Sequence, residues 1–162
     1  MSSPDAFPPL HGKLGSADAV ERLGAAIAPR LRAGEALCLF GPLGAGKSTL
    51  ARGLIRALTS ADEEVPSPTF TLVQTYATPE LSIAHFDLYR LKSPEEAFEI
   101  GLDEALETGA VIIEWPERLD GDLPQDRLDI ALRHDGDGRA LVVTGSGAWG
   151  ERAQDLEPYL ND

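Results

Sequence analysis

Gly41-Pro42-Leu43-Gly44-Ala45-Gly46-Lys47-Ser48-Thr49 is the stretch on which the reading of this chain turns. It matches the phosphate-loop pattern of glycine, four residues, then glycine, lysine and serine or threonine. Glycines reach backbone angles closed to other residues, so successive N–H groups can turn inward around one anion. A helix beginning near Gly46 aims its free N–H groups and partial positive charge at the same point. In that pattern Lys47 meets the outer phosphates as a point charge, and Ser48 offers its hydroxyl to magnesium. The flanks supply the context the motif needs. Residues 35–40 are a short apolar strand, and Leu50, Leu54, Ile55 and Leu58 mark an amphipathic helix.

A phosphate loop needs acidic help to hold magnesium and place water. Two carboxylates stand where strands should end beside it. Asp87 follows Ser82–Phe86, and Glu114 follows the apolar run Ala110–Ile113. The carboxyl ends of strands are where such sheets bind ligands. An acid inside Ile112-Ile113-Glu114-Trp115 is costly to bury unless a cation or other partner meets it. Thr69 could offer a hydroxyl to the terminal phosphate or its metal. His85, a lone histidine in a strand, reads as a hydrogen-bonded structural residue. The three histidines and one cysteine show no zinc spacing. Asp135-Gly-Asp-Gly138 formally fits a short GTPase pattern but sits in a hairpin turn, and no asparagine-lysine-any-aspartate string is present. ATP is therefore the expected nucleotide.

Working outward, residues 1–12 carry three prolines and read as an extended arm. Ser16 caps a helix bearing Val20, Leu23, Ile27 and Leu31, which Gly34 ends. Thr69–Tyr76 and Leu81–Leu88 are strand-like, and Ser93-Pro-Glu-Glu96 opens a capped helix with proline at its first position. Ala110–Trp115 is apolar throughout, as a strand covered on both faces should be. Leu128–Leu132 and Leu141–Thr144 make an antiparallel hairpin, and Trp149–Leu160 a closing helix with Ala153, Leu156 and Leu160 inward. The whole is one α/β domain over residues 1–162, a mixed sheet flanked by helices.

Composition bounds the rest. The chain has 162 residues, 43% hydrophobic and 25% charged, an ordinary soluble composition. Cys38 is the one cysteine, inside an apolar run, and fits a buried core thiol in a reducing cytoplasm. The start of the chain lacks a signal-peptide pattern, so a cytoplasmic location is expected. Fourteen basic residues against 27 acidic ones give a net charge of −13. That balance opposes direct, tight contact with a phosphate backbone and suits protein partners with basic surfaces.

Four strings in order resemble one family, the bacterial tRNA threonylcarbamoyladenosine biosynthesis ATPase (TsaE, formerly YjeE). They are Gly41–Thr49, Ser67-Pro-Thr-Phe-Thr-Leu-Val73, His85-Phe-Asp-Leu-Tyr-Arg-Leu91 and Glu114-Trp-Pro-Glu117. The resemblance covers nearly the whole chain. It implies a P-loop NTPase whose ATP hydrolysis supports a threonylcarbamoyl transferase and its inactive paralogue (TsaD and TsaB). Their product is N6-threonylcarbamoyladenosine at position 37 of tRNAs that read codons beginning with adenine. Carried across by motif, Lys47 contacts phosphate, and Ser48 and Glu114 hold magnesium. Asp87, also a candidate metal ligand, and Thr69 shape the catalytic loop region, while Trp115 lies beside the site. Pro42 stands where an acid is common and Ser48 where threonine is common. A small-molecule kinase with a similar loop is the alternative. Its arginine lid would have to come from Arg118, Arg127 and Arg133, which run into a hairpin instead.

Overall fold

The computed structural model describes residues 7–162, so the first half of the expected N-terminal arm lies outside the described residues. Seven strands form one sheet in the order β1-β7-β6-β2-β5-β4-β3. Its centre is parallel: β6 (Arg127–Asp135), β2 (Ala36–Phe40), β5 (Ala110–Glu114) and β4 (Ile83–Asp87). Antiparallel neighbours close both flanks, β3 (Val73–Tyr76) on β4, and β7 (Gly138–Ser146) with β1 (Leu10–Leu14) beyond β6. The expected α/β domain with a C-terminal hairpin is the architecture found.

Alternation along the strands assigns the two faces. Leu37, Leu39 and Ile112 point to the layer of α1 (Ala17–Ile27) and α2 (Lys47–Leu58). Cys38, Val111, Ile113 and Phe86 point to the opposite layer, where α3 (Glu95–Glu99) and α4 (Leu102–Thr108) pack. Both faces being covered, β4 and β5 are buried along their entire length. Helix α1 starts at Ser16, whose hydroxyl accepts the Ala19 amide at 3.1 Å. It presses on α2 through glycines: a Cβ on Gly53 would stand 2.2 Å from the Glu21 carbonyl oxygen. That close approach fixes α2, and with it the end of the glycine loop, against the sheet.

Several expected boundaries moved. Leu10–Gly12, assigned to the arm, belong to β1, whose partners on β7 are far away in sequence. Helix α1 stops at Ile27 with a 3-10 turn over Ala28–Arg30, because Pro29 cannot continue it; Leu31 is buried beyond the helix. Thr69–Leu72 are turn, not strand, since Leu72 takes a left-handed φ of 71° and its amide closes back on Pro68. At α3, Ser93 supplies no side-chain cap; the Glu96 carboxylate accepts the Lys92 amide instead, at 2.9 Å. The closing segment is a one-turn helix α5 (Trp149–Arg152) followed by 3-10 turns to Tyr159, with Ala153, Leu156 and Leu160 buried as expected. Cys38 is fully buried, and desolvation raises its thiol far above the usual range, so it is inert.

Candidate functional site

At the carboxyl end of β2 the chain leaves the sheet as the glycine loop. Gly41, Gly44 and Gly46 all take positive φ, 143°, 77° and 108°. At Gly41 the requirement is also steric, because a Cβ there would stand 2.4 Å from the Leu132 carbonyl oxygen. Gly46 precedes the twelve-residue helix α2, in which the Leu50 amide, bonded to the Gly46 carbonyl at 2.9 Å, closes the first turn. The amides of Lys47, Ser48 and Thr49 have no helical acceptor and face outward with the positive end of the helix.

Against this end stand the two acids. Parallel register places Asp87 directly beside Glu114, on the face that carries α2. Both are buried, 4% and 3% exposed. The Ser48 hydroxyl lies 3.1 Å from each Glu114 carboxylate oxygen, and His85 Nε2 is 2.7 Å from Oε2 of the same group. Asp87 accepts the Thr69 hydroxyl at 3.2 Å and the Tyr89 amide at 3.0 Å. Arg90, three residues further on, does not pair with it and lies over the Phe70 ring at 4.4 Å. Thr69 also meets the Ser67 hydroxyl at 2.8 Å.

Lys47 is 5% exposed. Its ammonium donates to the Gly41 carbonyl and lies 3.7 Å from the Trp115 ring centre. Burial pulls its pKa below the ordinary lysine value, while Glu114, Glu117 and Asp87 pull it upward less strongly. Trp115 reaches that place through a left-handed φ of 62°, a conformation that costs a non-glycine residue about 1–3 kcal/mol. A conformation of this kind persists only where the surroundings hold it, and here it sets the ring against the Lys47 ammonium directly after a buried acid.

These groups line one cavity of about 260 Å³. Leu43, Gly44, Gly46, Lys47, Ser48, Thr49, Thr69, Asp87, Glu114 and Trp115 all reach it, so most of the residues expected from sequence come together. Gly41, Pro42 and Ala45 shape the loop without lining the cavity. A larger cavity of about 730 Å³ lies at the amino ends of β2 and β4, walled mainly by apolar side chains such as Ala25, Ala57, Leu58 and Leu81 with Arg32 and Glu80 among them, and it contains neither the glycine loop nor the paired acids. Sequence reasoning missed Arg139. From β7 its guanidinium donates to the carbonyls of Ala45 and Gly44 at 2.9 and 3.0 Å, gripping the loop from behind while lining the cavity. Backbone acceptors some 94 positions away leave no trace in a sequence. The kinase alternative finds no lid: Arg127 pairs with Asp129 at 3.1 Å, Arg133 is part of β6, and Arg118 stacks on Tyr89.

Among the described residues no group of three His, Cys, Asp or Glu side chains forms a metal cage. Magnesium does not need one, because it keeps several waters and takes one or two protein oxygens together with substrate phosphates. A serine hydroxyl touching a buried carboxylate, beside an amide-lined cradle, is such a donor set. No helix among the described residues is long and apolar enough to cross a membrane.

The family profile described as "Threonylcarbamoyl adenosine biosynthesis protein TsaE" matches residues 14–141. A relative from Rickettsia bellii named tRNA threonylcarbamoyladenosine biosynthesis protein TsaE is 39% identical over 132 residues, 81% of this chain and 92% of that protein. One of the same name from Bacillus subtilis is 37% identical over 131 residues, 80% of this chain and 79% of that protein. The crystal structure of Bacillus subtilis YdiB superposes with a TM-score of 0.77 at 28% identity, covering 94% of this chain and 96% of that one.

Proposed function

Because this chain belongs to the TsaE family of threonylcarbamoyl adenosine biosynthesis proteins, we propose that it binds and hydrolyses ATP with magnesium, as one P-loop domain. The observation that carries the reading is the meeting of three sequence-distant motifs in one cavity, with the Ser48 hydroxyl on the Glu114 carboxylate and Lys47 and Asp87 alongside. In this reading the loop amides and Lys47 hold the outer phosphates of ATP. Ser48 and Glu114 hold magnesium, with Asp87 as a further ligand or as the group that orients water. Thr69, bonded to Asp87, fixes the neighbouring loop. Magnesium supplies neutralisation of phosphate charge and an acid for the leaving oxygen.

Hydrolysis would serve the proteins that make N6-threonylcarbamoyladenosine at position 37 of tRNAs reading codons that begin with adenine. The partners are the threonylcarbamoyl transferase subunit and its inactive paralogue, and the setting is the cytoplasm. The charge of −13 supports contact with those proteins and against tight contact with the tRNA itself. The test is ATP hydrolysis by the chain alone, then with the transferase pair and tRNA. Magnesium-dependent turnover that rises with the pair is expected. Turnover that requires a small-molecule acceptor and ignores the pair would refute the reading.

A further inference from the structure

His85 sits in the middle of β4, 1% exposed, on the face of the sheet that carries α2. Its Cα pairs with Ile112, two residues before Glu114 along β5, so the ring lies behind the Glu114 carboxylate as seen from the cavity. The two nitrogens have different surroundings. Nε2 is 2.7 Å from Glu114 Oε2, whereas Nδ1 is buried and has no partner among the described residues. A histidine that merely filled the core would gain nothing from this asymmetry, and an aliphatic side chain would fill the same space without desolvating a polar atom. Hydrogen bonding also selects the tautomer. With the proton on Nε2 the one N–H of the ring has an acceptor, and Nδ1 keeps only a lone pair. With the proton on Nδ1 a buried donor would be orphaned, and two acceptors would face each other at 2.7 Å.

We infer that His85 is a positioning residue for magnesium: its Nε2–H holds Oε2 of Glu114, fixing the carboxylate with its open side toward the Ser48 hydroxyl. The inference rests on the proposed function. A carboxylate at the end of a three-torsion side chain must otherwise be ordered at the moment the ion binds, and partners behind a ligand set metal affinity by removing that cost. Asp87 is held in the same manner by Thr69 and the Tyr89 amide, so each acid of the pair has its own brace.

The experiment compares wild type, His85→Leu and His85→Gln by Mn²⁺ binding in the presence of ADP, read by the EPR signal of free Mn²⁺. ADP binding in EDTA is measured in parallel. Loss of a partner behind the ligand should weaken Mn²⁺ binding by about 10–100-fold in H85L. ADP affinity in EDTA should stay within a few-fold, and H85Q, which keeps a side-chain donor, should recover part of the loss. Manganese affinity in H85L equal to wild type overturns the inference. So does a ¹⁵N-histidine spectrum of the wild-type protein with the His85 proton on Nδ1, a measurement that decides alone if H85L does not fold. Wild type that binds no Mn²⁺ with ADP overturns the magnesium site itself, which a variant-specific difference cannot do.

Discussion

Lys47→Met is expected to remove nucleotide binding while leaving the apo fold nearly as stable as before. The lysine is 5% exposed, and burial depresses its pKa despite three nearby carboxylates. Two favourable contacts go: a hydrogen bond from a charged donor to Gly41, about 1.5–3 kcal/mol, and the approach to the Trp115 face, about 0.5–2 kcal/mol. Against them stands relief from holding an ammonium out of water, which the depressed pKa registers, and methionine refills most of the volume. Because these terms oppose one another, the melting temperature is expected to stay within about 4 °C of wild type, the shift that a change of about 1 kcal/mol produces in a chain of this size. The pH dependence has a definite sign. A depressed lysine pKa means that the unfolded chain binds more protons between the folded value and the ordinary one. The penalty is therefore full below the folded pKa, and wild-type stability rises with pH through that window. The difference curve, wild type minus Lys47→Met, should rise there, other groups cancelling. Thermal melts from pH 7 to 10, with binding of a fluorescent ADP analogue, give both readouts. A variant that melts about 10 °C lower would make Lys47 a structural brick, and one that binds ADP normally would refute the phosphate loop.

Glu114→Gln should damage magnesium-dependent hydrolysis by about two orders of magnitude, more than Asp87→Asn, because Glu114 alone touches Ser48; a magnesium titration showing Asp87→Asn dead and Glu114→Gln normal reverses the two roles. Arg139→Ala should weaken ADP binding by about tenfold, and Arg139→Lys should not restore it, since two carbonyls need the planar fork; a lysine variant that binds like wild type would reduce Arg139 to a charge. The isolated chain should not bind tRNA tightly at physiological salt, given a charge of −13, and submicromolar binding in a filter assay would contradict that. Glu35→Ala should cost about 3 kcal/mol in urea melts, because it leaves buried Trp149 Nε1 and Arg152 without their shared carboxylate; a loss below about 1 kcal/mol would mean that the closing segment docks without it.

The parts of the site that could be read from sequence are those whose signal is local. A glycine loop between an apolar strand and an amphipathic helix declares itself, and an acid at the end of Ala110–Ile113 is conspicuous because nothing nearby could neutralise it. What escaped depends on pairings between distant segments. Leu10–Leu14 carries only weak alternation and follows two prolines, so its place as an edge strand is decided by β7. The nearest cation to Asp87 in sequence is Arg90, yet the turn at residues 88–91 sends that side chain to Phe70, and the acid's partners are the Thr69 hydroxyl and the Tyr89 amide. His85 read as structural because a lone histidine in a strand usually is. Only the β4–β5 register shows that its hydrogen bond goes to Glu114.

Charge balance makes the proposed magnesium ion more than an accessory. Around the cavity, Lys47 and Arg139 oppose Asp87, Glu114 and Glu117, and Arg139 is already committed to the loop carbonyls. Bringing in ATP adds about four negative charges at neutral pH, beside two acids that are almost wholly buried. A lysine and a helix end, the latter equivalent to about half a charge, cannot offset that repulsion. A divalent cation between the carboxylates and the phosphates turns the acids from repellents into ligands. Nucleotide and metal should therefore bind with strong mutual dependence: ADP weakly in EDTA, Mn²⁺ weakly without ADP, each markedly tighter with the other, by the same factor in both directions. Equal ADP affinity with and without magnesium would mean that Glu114 and Asp87 do not face the phosphates.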